Sequence, residues 1–341
     1  MNVIDLLNLP PSPGALDLLT VTNDRLLALG WMFQPNHTFG SIEAYLDGKP
    51  VGPVQSVSRP DVEKVFEWAR NAKPLSFVIE LSLEGTTPTR LDLVGRIGEA
   101  PAARLSSLIP SEADAQLPQP PDPLQERVSG LHGLPFRVQG LQMFTDLVDQ
   151  MTRLGIPAAG RILDWGCGCG RVTRHFVTRL PKTKVLGCDI DRQAIEWCRQ
   201  NLGADFVHVA PMPPTPFKNA DVDVIIACSV LTHLTEAVQD KWLSEMRRIL
   251  APGGHFLAST HGNYAFQFSH RGGAVPGGLA GIQDSQLDPV LDGIAPPGYY
   301  RGVFQSRDHT IKACSKYFQV LDYVEQGLNG HQDLIILRRP R

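Results

Sequence analysis

The sequence predicts an α/β chain: a doubly wound, mostly parallel seven-stranded sheet preceded by a small β-sandwich. Three observations predict it. A short apolar strand, Arg161 to Trp165, runs into the glycine-dense turn Gly166-Cys-Gly168-Cys-Gly170, and a helical segment, Val172 to Leu180, follows. Further buried strands and helices then alternate as far as the chain end, the pattern of a parallel sheet with crossover helices. Residues 1–100 show instead short alternating strands broken by turn residues, which reads as two packed antiparallel sheets.

Within residues 1–100, Leu16 to Phe33 carries two strand-like runs, and Ser41 to Leu46 alternates before the hairpin signal Asp47-Gly48. Lys49 to Val54 returns, Ser76 to Leu83 alternates up to the turn Glu84-Gly85, and Leu91 to Ile97 alternates again. A short helix, Asp61 to Asn71, follows Arg59-Pro60. Residues 101–124 read as a linker, because Pro110, Pro118, Pro120, Pro121 and Pro123 interrupt regular structure. Residues 125–341 form the second unit. Residues 125–160 are its lead-in helix region, where Gly140 to Leu154 carries apolar residues at helical spacing.

Strand Arg161–Trp165 places the acid Asp164 at its end, and the glycines let backbone approach a bound molecule closely. An acid there suits a ligand with an amino group and hydroxyls and repels a pyrophosphate. The next strand, Lys184 to Asp189, ends in a second acid 25 residues after the first, close to the ~20-residue offset at which doubly wound folds set an acid on a ribose diol. Asp191 is placed to cap the helix Arg192 to Asn201. The strand that starts at Asp223 runs into Ser229 and Val230, and Arg247 to Gly254 turns into the strand His255 to Ser259. Residues 262–305 are a glycine-rich insertion that reads as a lid or substrate loop. A helix, Asp308 to Tyr317, a strand from Phe318, the turn Asn329-Gly330 and a last strand from Asp333 close the chain.

This ordered series resembles the class I methyltransferases that use S-adenosylmethionine and release S-adenosylhomocysteine. The resemblance implies a seven-stranded Rossmann-like methyltransferase sheet with an antiparallel last strand. It also implies that Asp164, Gly166, Gly168 and Gly170 hold the methionine moiety, and that Asp189 with Ile190 meets the ribose. The backbone around Met212 is expected near the adenine, because no acid follows the strand at Phe206, and Ser229 and Val230 are expected near the sulfonium. Residues 1–100 are similar to accessory sandwich modules found beside bacterial glycosyltransferases and methyltransferases.

Methyl transfer needs an aligned nucleophile and, for a hydroxyl, a proton acceptor. His233, His261 and His331 fall at strand ends where a base is placed, and a packed structural histidine is the alternative for each. Arg271 and Arg301 are candidates to grip an anionic group on the substrate, and Tyr299 and Tyr300 to stack on a ring. The expected acceptor is a small hydroxylated molecule or glycan, methylated on oxygen. Methylation of an amine or peptide nitrogen, and a non-catalytic cofactor-binding interaction protein, stay open. A dinucleotide oxidoreductase is disfavoured by Asp164 and the closing hairpin.

The 341 residues allow two domains, and 43% hydrophobic with 20% charged residues is ordinary for a globular protein. A net charge of −3 argues against a general nucleic-acid footprint. No apolar run approaches the ~20 residues of a membrane span. The six cysteines form no C-x-x-C pair, and Cys167 and Cys169 lie inside the glycine turn with no second cluster, so no metal site is expected. Reduced cysteines and the absence of a cationic leader fit a cytoplasmic protein.

Overall fold

The computed structural model describes residues 3–51, 54–69, 71–271 and 278–341. Residues 52, 53 and 70, which fall in the expected return strand and short helix, and residues 272–277 of the insertion, lie outside the described residues.

After a short helix α1 (Val3–Leu7), eight strands build two antiparallel sheets. They are β1 (Gly14–Thr22), β2 (Arg25–Met32), β3 (Ser41–Leu46), β4 (Lys49–Val51), β5 (Gln55–Ser56), β6 (Leu75–Ser82), β7 (Arg90–Ile97) and β8 (Ala100–Leu108). One sheet runs β1-β2-β6-β5 and the other β4-β3-β7-β8. Alternate residues of both, such as Leu19, Leu26 and Phe77 from the first and Leu91, Leu93 and Ala103 from the second, meet in one apolar cluster. The Asp47-Gly48 turn has positive φ at both residues, as a tight hairpin requires. Helix α2 (Pro60–Val65) lies between β5 and β6 and is shorter than its pattern suggests.

Residues 101–108 depart from the expected linker: they are strand β8. Small residues (Ala102, Ala103, Ser106, Ser107) mask its strand character, and Pro101 is tolerated because β8 is an edge strand. The prolines beyond it flank helices α3 (Glu112–Gln116), closed by a Ser111–Asp114 capping box, and α4 (Asp122–Ser129).

The second part is a seven-stranded sheet. Its strands are β9 (Arg161–Trp165), β10 (Lys184–Asp189), β11 (Asp205–His208), β12 (Val222–Ala227), β13 (Leu250–Thr260), β16 (Gln319–Leu328) and β17 (Gln332–Arg338). They lie in the order β11-β10-β9-β12-β13-β17-β16, with β17 alone antiparallel to its neighbours. β13 starts within the expected Arg247–Gly254 turn, five residues earlier than its apolar core suggests, with Gly253 at φ 82°. Crossover helices α6 (Thr173–Arg179), α7 (Arg192–Asn201) and α8 (Glu236–Ile249) cover the faces, and Asp191 caps α7 through the Gln193 and Ala194 N–H groups. The insertion contains helix α9 (Asn263–Ser269) and the hairpin β14 (Ile282–Leu287) and β15 (Arg301–Gln305); α10 (Arg307–Ser315) precedes β16.

Helix α5 (Gly133–Arg153), inside the expected lead-in region, joins the two parts. Gln142 and Thr145 accept the N–H groups of Leu16 and Leu108. A buried ion network does the same work. Arg90 of β7 binds Asp149 of α5 through both Nη atoms at 2.6 and 2.8 Å and Asp92 through Nε at 2.9 Å. Arg104 of β8 adds a 2.8 Å contact to Asp149. Two cations thus neutralise two buried anions. Arg90→Ala would leave Asp92 without its cation, and a broken buried pair costs about 3–5 kcal/mol. Urea unfolding of the variant should show that loss; an unchanged midpoint would contradict the role given to the network.

Candidate active site

Strand order reverses between β9 and β12, and the crevice at the carboxyl ends of these strands is where open α/β sheets bind ligands. Two cavities meet there. The first is lined by Asp164, Gly166, Gly168, Asp189, Ile190, Ser229 and Val230 among others. It gathers seven of the nine residues expected to bind the cofactor. Gly170 and Met212 are not in its lining. A Cβ at Gly170 would lie 2.4 Å from Leu202 Cδ1, so this glycine serves close packing of α7's end. Near Met212, the Pro211 carbonyl is already taken by the Tyr299 hydroxyl and by Trp242 Nε1.

The turn needs its glycines. Gly166 (φ 77°) and Gly168 (φ 52°) are both left-handed. A Cβ at Gly166 would lie 2.3 Å from Val230 Cγ2, and one at Gly168 2.7 Å from Val128 Cγ2. The turn is pinned to β10: Gly166 N donates to the Cys188 carbonyl at 2.8 Å, and Gly168 N to Asp189 Oδ2 at 2.8 Å. Asp189 also accepts the Asp191 N–H at 2.8 Å.

Asp164 is 2% exposed, and its Oδ2 accepts the Thr173 hydroxyl at 2.5 Å. Burial pushes its carboxyl up to about 7; the Thr173 bond opposes this and the charge of Asp189 adds to it. Burial also raises Asp189. The buried Asp164 and the part-buried Asp189, neither in an ion pair among the described residues, offer carboxylate acceptors to an amino group and hydroxyls.

The second cavity, of about 500 Å³, is large enough for a small molecule. It is lined by all three candidate histidines, together with Gln139, Asp288, Tyr300 and Gln332. The histidines arrive from different strands and form a row, His233 to His261 at 6.1 Å between ring centroids and His261 to His331 at 5.8 Å. His233 stacks on Tyr300 at 4.0 Å, and its Nδ1 donates to the Arg301 carbonyl at 2.9 Å, which leaves Nε2 with the lone pair. Burial lowers all three: His233 to about 4, His261 to about 3 with help from its two neighbours' charges, and His331 to about 4. His331 also packs edge-on against Tyr264 and Phe268 of α9. Among the described residues no group of three His, Cys, Asp or Glu side chains is set to hold a metal ion.

The cavities share a wall of Arg127, Val128, Arg171, Ser229, His233 and Tyr300. Ser229 sits at φ 61°, its N–H donates to Ser259 Oγ at 2.8 Å, and its hydroxyl accepts from Gln332 Nε2 at 2.8 Å. Of the four residues expected to meet substrate, Tyr300 lines both cavities and Tyr299 only the first. Arg301 lines neither, because its guanidinium pairs with Asp284 at 2.7 Å. Arg271 is exposed and lines neither cavity. Sequence reasoning missed Arg127, Val128, Arg171 and Gln332. The first two belong to α4, hidden by its prolines; Arg171 ends the glycine run, where attention falls on the glycines.

Residues 162–254 match a family model described as a methyltransferase domain. A curated relative from Mycolicibacterium smegmatis, described as a probable S-adenosylmethionine-dependent methyltransferase, is 31% identical over 33% of this chain and 43% of its own length. The trans-aconitate 2-methyltransferase of Methylobacterium nodulans is 31% identical over 31% of this chain and 40% of its own. The chain thus spans less than half the length of these curated relatives. A solved S-adenosylmethionine dependent methyltransferase from Mesorhizobium loti is 18% identical, covering 56% of this chain and 96% of that one, with a TM-score of 0.39. Among the described residues no helix is long and apolar enough to cross a membrane.

Proposed function

We propose that this chain, which carries a class I S-adenosylmethionine-dependent methyltransferase domain, transfers the cofactor's methyl group to a hydroxyl of a small polar acceptor, a sugar or related polyol. The observation that carries this reading is the shared wall: a cofactor groove opens through Ser229, His233 and Tyr300 onto a cavity lined by three neutral histidines. When bound, S-adenosylmethionine supplies a methyl group on a positively charged sulfur, already activated towards in-line attack.

The residues fit that group. Asp164 would hold its amino group and Asp189 its ribose hydroxyls, over a cradle kept open by Gly166 and Gly168. Ile190 and Val209 give the groove apolar walls for the adenine. His233 takes the acceptor hydroxyl's proton on Nε2. The Arg301 carbonyl on Nδ1 holds the ring's orientation and stabilises the imidazolium as it forms. Tyr300, stacked on the imidazole, stops it turning. The amino-terminal sheets serve in this reading as an accessory β-sandwich, fixed to the catalytic unit through α5.

Asp164 gives a test of the groove alone. Its carboxyl sits near 7 in the free protein. An ammonium brought beside it favours the charged form and drives the proton off, so S-adenosylhomocysteine binding at pH 7 should release a fraction of a proton. Calorimetry in two buffers of different ionisation enthalpy should show the difference, and Asp164→Asn should remove it. Equal enthalpies for the unmodified protein would contradict the assignment.

Transfer itself is tested with methyl-labelled S-adenosylmethionine and a fractionated extract of the source cells. The reading expects label in a small-molecule or glycan fraction, stable to mild alkali as an ether is. Alkali-labile label would mean a carboxylate ester, and label in protein would move nitrogen methylation first. No label, with S-adenosylhomocysteine still bound, would leave a cofactor-binding interaction protein.

A further inference from the structure

Among the described residues the second cavity contains a cation that no carboxylate meets in an ion pair. Two arginines line it, Arg127 and Arg171. Arg127 is paired with Asp191 at 2.6 Å. Arg171 is 7% exposed, and among the described residues no carboxylate lies within ion-pair distance of it. Its Nη1 donates to the neutral amide oxygen of Gln139, and its Nε is buried with no partner. Asp164 lines the cofactor groove with Arg171 and its charge reaches the guanidinium, but it makes no ion pair with it and takes the Thr173 hydroxyl instead. The cavity's own acids are engaged elsewhere: Glu126 meets His132 at 3.2 Å, and Asp288 caps the Val290 N–H at 3.0 Å.

The guanidinium is held in place. Gly140 of α5 lies so close that a Cβ there would be 2.6 Å from the Arg171 carbonyl oxygen and 3.0 Å from its Cγ. The neighbouring residue on that helix, Gln139, grips Nη1. A guanidinium buried against one neutral amide is costly unless an anion completes it. Its planar fork suits an oxyanion with two adjacent oxygens. Arg171 lines both cavities, but the Gln139 that holds its Nη1 lines the histidine cavity and not the cofactor groove, which favours an anion on the acceptor's side.

We propose that Arg171 is the acceptor's anion-binding residue, so that the acceptor carries a carboxylate or phosphate as well as the hydroxyl that is methylated. This rests on the O-methyl transfer reading. The anion anchors the acceptor at the shared wall, and a second group of the same molecule, the hydroxyl, turns to His233.

The same oxyanion chemistry could come from the cofactor's own carboxylate, and the test separates the two. Calorimetry on Arg171→Gln uses two probes: S-adenosylhomocysteine, and 5′-methylthioadenosine, which lacks the amino acid part. The proposal expects both affinities to stay within about twofold of the unmodified protein, which also shows that the variant folds. A tenfold or larger loss for S-adenosylhomocysteine alone would assign the guanidinium to the cofactor and overturn the proposal. If the variant binds neither probe, Arg171→Lys, which keeps the charge but not the fork, replaces it in the same pair of titrations and is judged by the same criteria. In a second arm, labelled product from the cell extract is passed over an anion-exchange column. The proposal expects retained, alkali-stable label, with transfer by the variant down about 100-fold, the scale of a lost buried charge contact. Label that flows through as a neutral product, or unchanged transfer by the variant, overturns it while leaving O-methylation intact. Absence of label from both proteins refutes the transfer reading, and the proposal falls with it.

Discussion

Gly168→Asp should abolish cofactor binding, with affinity for S-adenosylhomocysteine down by at least about 1,000-fold. Three effects add. The residue sits at φ 52°, where a side chain is strained by about 1–2 kcal/mol. Its Cβ would meet Val128 Cγ2 at 2.7 Å, so α4 must move away from the groove. The new carboxylate would also enter a site that already holds Asp164 and Asp189, and like charges at short range in a desolvated groove repel strongly. Gly168→Ala separates the terms: strain and contact without charge should weaken binding about 10-fold to 100-fold, the scale of a few kcal/mol. Calorimetry reads both. Near-normal affinity in the aspartate variant would mean that the glycine turn does not carry the cofactor.

His233→Gln should lower kcat by about 100-fold to 1,000-fold while S-adenosylhomocysteine affinity stays unchanged, the signature of a lost proton acceptor. Only the neutral imidazole accepts a proton. Burial puts His233 near 4, so the neutral form dominates at neutral pH and the rate should fall only as the pH drops towards 4. Stability moves over a related window. Unfolded histidine takes up its proton near 6.5, whereas folded His233, His261 and His331 do so near 4, 3 and 4. The stability tied to these neutral rings is therefore present above pH 6.5 and is lost as the pH falls through the folded values. Circular dichroism should accompany the rate profile so that unfolding is not read as titration. Full activity in His233→Gln would move the proton-accepting role to another member of the row.

Much of this was legible in the chain. The glycine spacing and the two strand-end acids give the groove because backbone geometry and charge are local properties. Asn329-Gly330 marks the closing hairpin, and both residues adopt the positive φ that a tight turn demands. The three histidines are visible as strand-end residues, but their assembly into a row is set by the strand order β12-β13-β17, a long-range property. Strand β8 was hidden because alanine and serine carry little strand preference; its burial against β7 decides its conformation. Gly170 looks like its neighbours in sequence yet faces Leu202 rather than the groove. Arg171 gains meaning only once α5 places Gln139 beside it and no carboxylate pairs with it among the described residues.

The account's central claim is that cofactor and acceptor meet at the wall shared by the two cavities. A crystal structure with S-adenosylhomocysteine bound tests it most directly. The account predicts the ribose at Asp189, the amino group at Asp164, and the sulfur against Ser229, His233 and Tyr300, facing the histidine cavity. A sulfur turned away from that cavity, or a ligand bound outside the glycine turn, would contradict it.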